Sequence, residues 1–173
     1  MPPEIADGRL RKGAARRETL LAATLRVVGR SGVAAVSQRT VAAEAGVPPS
    51  AVLYYFASVD DLLVTALREV NERYCAELAA IGDIDGLTAH VVRYAEQDRF
   101  LLIAEYELWL LAARRDDLCD ELTGWDSVVQ DLAVRLAARR PDSLAAALNG
   151  LYLRAALTGV DAATVREVLE NAL

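Results

Sequence analysis

From Ser50 to Arg140 the chain contains no proline; the five prolines are Pro2, Pro3, Pro48, Pro49 and Pro141. An interior without a helix breaker, rich in Ala, Leu, Glu and Arg, favours helix at almost every position. No stretch shows the period-2 alternation of Val, Ile, Thr and aromatic residues that a sheet needs, so the class is all-α. Periodicity and caps predict roughly nine helical segments. They run from about Arg16 to Ser31, Ser37 to Ala45, Pro49 to Tyr55, Ser58 to Ala80, Leu87 to Glu96, Asp98 to Arg114, Asp117 to Arg139, Ser143 to Thr158 and Ala162 to Asn171. Residues before Arg16 read as a flexible basic arm. The expected organisation is an arm over 1–15, a three-helix module over 16–57 and a larger helical body over 58–173.

The single histidine, His90, and the two cysteines, Cys75 and Cys119, lack metal-ligand spacing, and no Gly-x-Ser-x-Gly turn supplies a nucleophile. Zinc and His-based hydrolysis are therefore excluded, no cofactor is expected, and both cysteines read as small hydrophobes. A helical enzyme would have only scattered carboxylates to work with. The longest stretch free of Asp, Glu, Lys and Arg, Ala45 to Val59, is interrupted by Pro48 and Pro49, and no apolar run follows the basic start. No membrane span or secretory signal is expected, which implies a cytoplasmic protein.

The net charge of −6 conceals an asymmetry. Up to Ser58 the basic residues exceed the acidic ones by four, and the remainder carries −10. Two modules with different partners follow. Within the basic part, Ser37 to Phe56 reads as helix, Gly-containing turn, helix, the pattern of a helix-turn-helix. Val41, Ala42 and Ala45 form the inner face of the first helix, Gly46 the turn, and Val52 and Phe56 face the same core four residues apart.

On these residues the chain resembles the TetR family of transcriptional regulators. The resemblance is carried by the Arg16 helix, Ala45-Gly46-Val47, Leu53-Tyr54-Tyr55-Phe56 and Ser58 to Leu63. Tyr106 to Arg115 and Asn149 to Leu151 are similar to recurrent pieces of that family's ligand-binding domain. The resemblance implies a homodimer on a palindromic double-stranded DNA operator, with Ser37 and Tyr55 on phosphate and Tyr54 on phosphate or sugar. Arg39, Thr40, Ser50 and Ala51 would lie near bases, Pro49 would open the reading helix, and Arg16 would serve the arm together with Arg9, Arg11, Lys12 and Arg17. The chain departs from the family pattern at Pro48, Leu53 and Val59, where many relatives carry Ser or Thr, Tyr and Lys. Tyr54, Tyr55 and Phe56 can also be read as core aromatics, and Leu53 as packing.

Phe100 to Ala113 is apolar around nearly its whole circumference yet carries Glu105 and Glu107, about 200° apart on the helical wheel. One carboxylate at least must face an interior or a cavity. A small-molecule effector site is expected around His90, Tyr94, Phe100, Glu105, Tyr106, Trp109 and Trp125. The competing reading pairs Glu107 with a neighbouring arginine such as Arg93, leaves a dry aromatic core, and makes His90 a packed histidine. The last two helices, through Leu144, Leu148, Leu151, Tyr152, Val165, Val168 and Leu169, would form a four-helix dimer interface as in the family. A ligand that prefers dimers with incompatible spacing of the reading helices would lower DNA affinity. The rival class is an all-helical protein-interaction module without sequence-specific DNA binding.

Overall fold

The computed structural model describes residues 3–97, 99–136 and 138–173; the side chains of residues 3–10, 97 and 119 lie outside the description, so the expectations placed on Arg9 and Cys119 do too. Among the described residues there are nine α-helices and no strand: α1 (Pro3–Ser31), α2 (Gln38–Ala45), α3 (Pro49–Tyr55), α4 (Val59–Ala79), α5 (Ile84–Gln97), α6 (Arg99–Ala112), α7 (Cys119–Arg135), α8 (Pro141–Thr158) and α9 (Ala162–Ala172). Short 3-10 turns sit at Val33–Ala35 and Asp116–Leu118. No single described helix is long and apolar enough to cross a membrane.

Local chemistry sets most of the boundaries. Ser37 and Thr40 form a reciprocal cap at α2: the Thr40 amide donates to Ser37 Oγ at 3.1 Å and the Ser37 amide to Thr40 Oγ1 at 2.9 Å. Gly46 ends α2 with φ 67°, a left-handed turn that L side chains resist. Ser58 Oγ accepts the Asp61 amide at 2.9 Å, and Asp61 accepts the Ala57 amide at 2.9 Å, which closes the start of α4. Asp161 caps α9 through the Thr164 amide.

The expected arm is instead a continuation of α1, which begins at Pro3 rather than Arg16. Starting a helix is costly and lengthening one is not, so Ala14, Ala15 and their neighbours join a helix already nucleated by the buried Leu20, Leu21 and Val28.

Two apolar cores follow one another along the molecule. The first joins Leu20, Val28, Val41, Val52, Phe56, Leu62 and Leu67 with Leu108 and Ala112 of α6. The second joins Tyr74, Leu78, Leu87, Val91, Tyr94 and Leu102 with α7, α8 and α9. Among the described residues only α4 and α6 supply buried side chains to both, so these two helices connect the helix-turn-helix to the larger body. The connection is close: a Cβ on Gly29 of α1 would stand 2.1 Å from the Phe100 carbonyl oxygen of α6, so only glycine permits this approach.

Six of the residues expected at a dimer interface are buried by the chain's own helices: Leu144, Leu148, Leu151, Tyr152, Val165 and Leu169 are each 3% exposed or less. Val168 is half-buried and packs on the same core. An apolar stripe already covered within one chain has little left to offer a second copy. The exposed stripe of α8 is a different one, formed by Ala146, Gly150, Leu153 and Leu157.

Candidate functional site

The reading helix α3 is held by Val52 and Phe56, both 2% exposed, each stabilising the module by roughly 1.5 to 3 kcal/mol through burial. That anchoring turns its other residues outward. Tyr54 is 81% exposed and Leu53 53% exposed, so neither is a core residue, and Leu53 is part of the outward surface rather than packing. Pro49, Ser50, Arg39, Thr40 and Arg16 are exposed as well, while Ala51, Tyr55 and Ser37 are half-buried. The hydroxyls of Ser37 and Thr40 are engaged in the α2 cap, and Thr40 Oγ1 also donates to the Ala35 carbonyl at 2.9 Å. A cleft lined by Lys12, Arg16, Arg17, Tyr54 and Tyr55 brings the basic N-terminal half of α1 beside the reading helix. Arginine and lysine next to exposed tyrosine hydroxyls is the chemistry that holds phosphate and fixes register. The Arg17 guanidinium sits 5.4 Å from the centre of the Phe56 ring.

The two carboxylates of α6 face different bodies, as their angular separation requires. Glu107 points to α1: its Oε2 accepts the Val33 amide at 3.0 Å, just beneath Gly32. Arg93 is not its partner; that arginine pairs with Glu77. Glu105 points the other way and is only 6% exposed. Together with Tyr74, Tyr106, Trp109, Asn149 and Tyr152 it lines a small cavity of about 10 Å³, room for about one water molecule.

Glu105 is ringed by tyrosines. Burial first, and the Glu105 charge among the further causes, raise the hydroxyls of Tyr74, Tyr94 and Tyr152, and push Tyr106 up to about 12. Tyr106 donates to the Asn149 carbonyl at 2.8 Å, and Trp109 Nε1 to Asn71 Oδ1 at 3.0 Å. Trp125 stands edge-on to Trp109 with ring centres 5.3 Å apart. His90 packs among Tyr74, Tyr94 and Tyr152, and its ring lies behind the cavity wall rather than in it. Burial depresses the His90 pKa to about 4; Glu77 pulls it up and Arg93 pushes it down. Glu77 also accepts the Tyr94 hydroxyl at 3.0 Å.

Of the seven residues expected at an effector site, Glu105, Tyr106 and Trp109 line the cavity, and His90, Tyr94 and Trp125 form its second layer of rings. Phe100 does not belong there. It is 53% exposed, on the side of α6 that meets α1, with Arg30 at 5.9 Å from its ring centre. Tyr74 and Asn149 were not anticipated, and Tyr152 faces the cavity instead of a second chain. Tyr74 had a signal in the sequence, since it continues the stripe Leu67, Val70, Asn71 and Leu78 on α4.

Among the described residues no group of three or more His, Cys, Asp or Glu side chains has metal-binding geometry. Burial raises the Cys75 thiol, which suits an unreactive small hydrophobe.

Comparison with known proteins matches both modules. Residues 20–66 fit the family model of bacterial regulatory proteins of the tetR family, and residues 82–173 fit the tetracyclin repressor-like C-terminal domain. A TetR-family member from Streptomyces coelicolor A3 is 37% identical, covering 91% of this chain and 98% of that one, with a TM-score of 0.76. The multidrug binding protein EbrR, solved in complex with ethidium, is also 37% identical over 91% of this chain and 98% of its own, with a TM-score of 0.68. EbrR has been solved with malachite green and with proflavin too. The nicotine-responsive transcriptional repressor HdnoR of Paenarthrobacter nicotinovorans is 28% identical over 145 residues, 76% of this chain and 74% of that protein. The helix-turn-helix with its outward tyrosines, the helical body behind it and the two matched family models leave no place for an interaction module that merely packs. The chain belongs to the TetR family of bacterial helix-turn-helix transcriptional regulators, which are DNA-binding proteins and not enzymes.

Proposed function

We propose that this regulator holds a palindromic operator as a homodimer and releases it when a lipophilic aromatic cation enters the site around Glu105. The observation that carries this reading is the buried carboxylate enclosed by Tyr74, Tyr106, Tyr152, Trp109 and, one layer out, Tyr94. A negative charge beside aromatic rings attracts an organic cation, whose flat body meets the ring faces. The dyes bound to EbrR, ethidium, malachite green and proflavin, are of this type. The cavity has room for only about one water, so a dye-sized ligand must widen it to enter.

For the dimer, the exposed stripe Ala146, Gly150, Leu153 and Leu157 supports a close helix-helix seam, since its spacing of four, three and four residues keeps one face toward a partner helix. Nothing stands within 4 Å of the Cβ position of Gly150, so a second backbone has room to approach.

Proflavin fluorescence and operator anisotropy, measured on fragments obtained by operator selection, test the reading. Glu105→Gln is expected to weaken proflavin at least tenfold and to leave operator affinity within twofold. Unchanged proflavin affinity in that variant overturns the assignment of the effector class.

A further inference from the structure

Between α1, α4 and the start of α6 lies an open groove of about 340 Å³, within the size range of small-molecule sites and separate from the small aromatic cavity. Its apolar side is formed by Leu25, Phe100 and Leu101, and its charged side by Arg26, Arg30 and Arg73. Among the described residues no acidic side chain lines it. Arg26 and Arg30 share one carboxylate, Glu44 of α2, at 2.5 Å and 3.2 Å, so two of the three guanidinium groups are served by a single acid that does not line the groove. Arg73 makes no hydrogen bond or ion pair among the described residues. Phe100, half-exposed, is presented to this space because Gly29 lets α1 press directly on its backbone.

We propose that this groove binds an amphipathic aromatic carboxylate, its ring against Phe100 and Leu101 and its carboxylate held by Arg73 and Arg30. Guanidinium forks match a planar carboxylate, and a flat ring beside Phe100 gains an aromatic contact that an aliphatic chain does not. The bound anion competes with Glu44 for Arg26 and Arg30. It thereby loosens the tie between α1 and α2, and hence the helix-turn-helix, independently of the cation site.

The test is calorimetric titration of the full chain with 1-naphthoate and with its neutral counterpart 1-naphthamide. One naphthoate per chain is expected, with naphthamide at least tenfold weaker. Arg73→Ala, an exposed position outside both cores, is expected to cost naphthoate at least tenfold. Glu105→Gln is expected to leave it unchanged, and amide hydrogen exchange in α2 is expected to speed up when naphthoate is bound. Equal binding of naphthamide, full affinity in Arg73→Ala, or no binding at millimolar naphthoate overturns the proposal. Altered naphthoate affinity in Glu105→Gln does so as well, tighter binding in particular, because it places the anion beside Glu105 in the aromatic cavity, and unaltered α2 exchange overturns the competition with Glu44.

Discussion

Replacing Gly29 with alanine sets helix propensity against packing, and the two predict opposite signs. In the middle of a helix alanine is favoured over glycine by about 1 kcal/mol. Here, however, the new Cβ would lie 2.1 Å from the Phe100 carbonyl oxygen and 2.8 Å from its carbonyl carbon, both backbone atoms of another helix. Ordinary contact begins near 3.4 Å, so α1 and α6 must separate by about 1.3 Å. That separation opens the packed seam between α1 and α6, and overpacking of this severity costs about 3 kcal/mol. The net expectation is a loss of about 2 kcal/mol, or a fall in Tm of about 4 to 8 °C for a chain of this length. Urea and thermal unfolding at a fixed protein concentration measure it, with Gly124→Ala as the control. Gly124 has open space at its Cβ position, and its replacement is expected to gain up to about 1 kcal/mol. If Gly29→Ala proves as stable as the parent or more so, the close approach of the two helices is wrong.

Three further outcomes follow from particular contacts. The pKa of His90 is depressed to about 4 by burial among Tyr74, Tyr94 and Tyr152, with Glu77 and Arg93 acting in opposite senses. The unfolded chain therefore binds a proton first, so this contribution is complete above pH ~6.5 and is lost as pH falls towards 4; it reaches about 3 kcal/mol at most. Urea midpoints between pH 7.5 and 4 should decline more steeply for the parent than for His90→Gln. Glu107→Ala removes the acceptor of the Val33 amide and is expected to cost about 1 to 2 kcal/mol in urea unfolding, with Glu107→Gln recovering part of it through its amide oxygen. Replacing Arg16 and Arg17 with alanine should reduce the salt slope of operator binding by about 0.9 for each phosphate contact removed, as read by anisotropy between low and physiological salt.

What the sequence disclosed was the chemistry that acts over a few residues. Ser37, Ser58 and Gly46 mark helix ends because their partners are three or four positions away, and Val52 with Phe56 marks the buried side of the reading helix. Features that depend on distant partners were hidden. Helix α8 is apolar on most sides, so its pattern could not separate the stripe that meets α5, α6 and α7, with Leu144, Leu148 and Tyr152, from the one left exposed at Leu153 and Leu157. Phe100 was placed by its own helix's hydrophobicity and not by Gly29, seventy residues earlier, which draws it to α1. The N-terminal half of α1, carrying Gly8 and Gly13, looks unfavourable in isolation and forms by extension from buried Leu20. Glu105, by contrast, was legible, because a carboxylate on an otherwise apolar helix is expensive wherever it points.

If the small cavity beside Glu105 is where the proposed effector enters, its size has a consequence for timing. If the tyrosine and tryptophan rings must part before a dye-sized molecule enters, the association rate rises with ligand concentration only at first and then levels off at the frequency with which the rings open. Beyond that point, adding more effector cannot hasten release from DNA. The speed of the transcriptional response is then a property of Tyr106, Trp109 and Tyr152, and widening this core by a smaller side chain should quicken the switch even where it weakens the final grip.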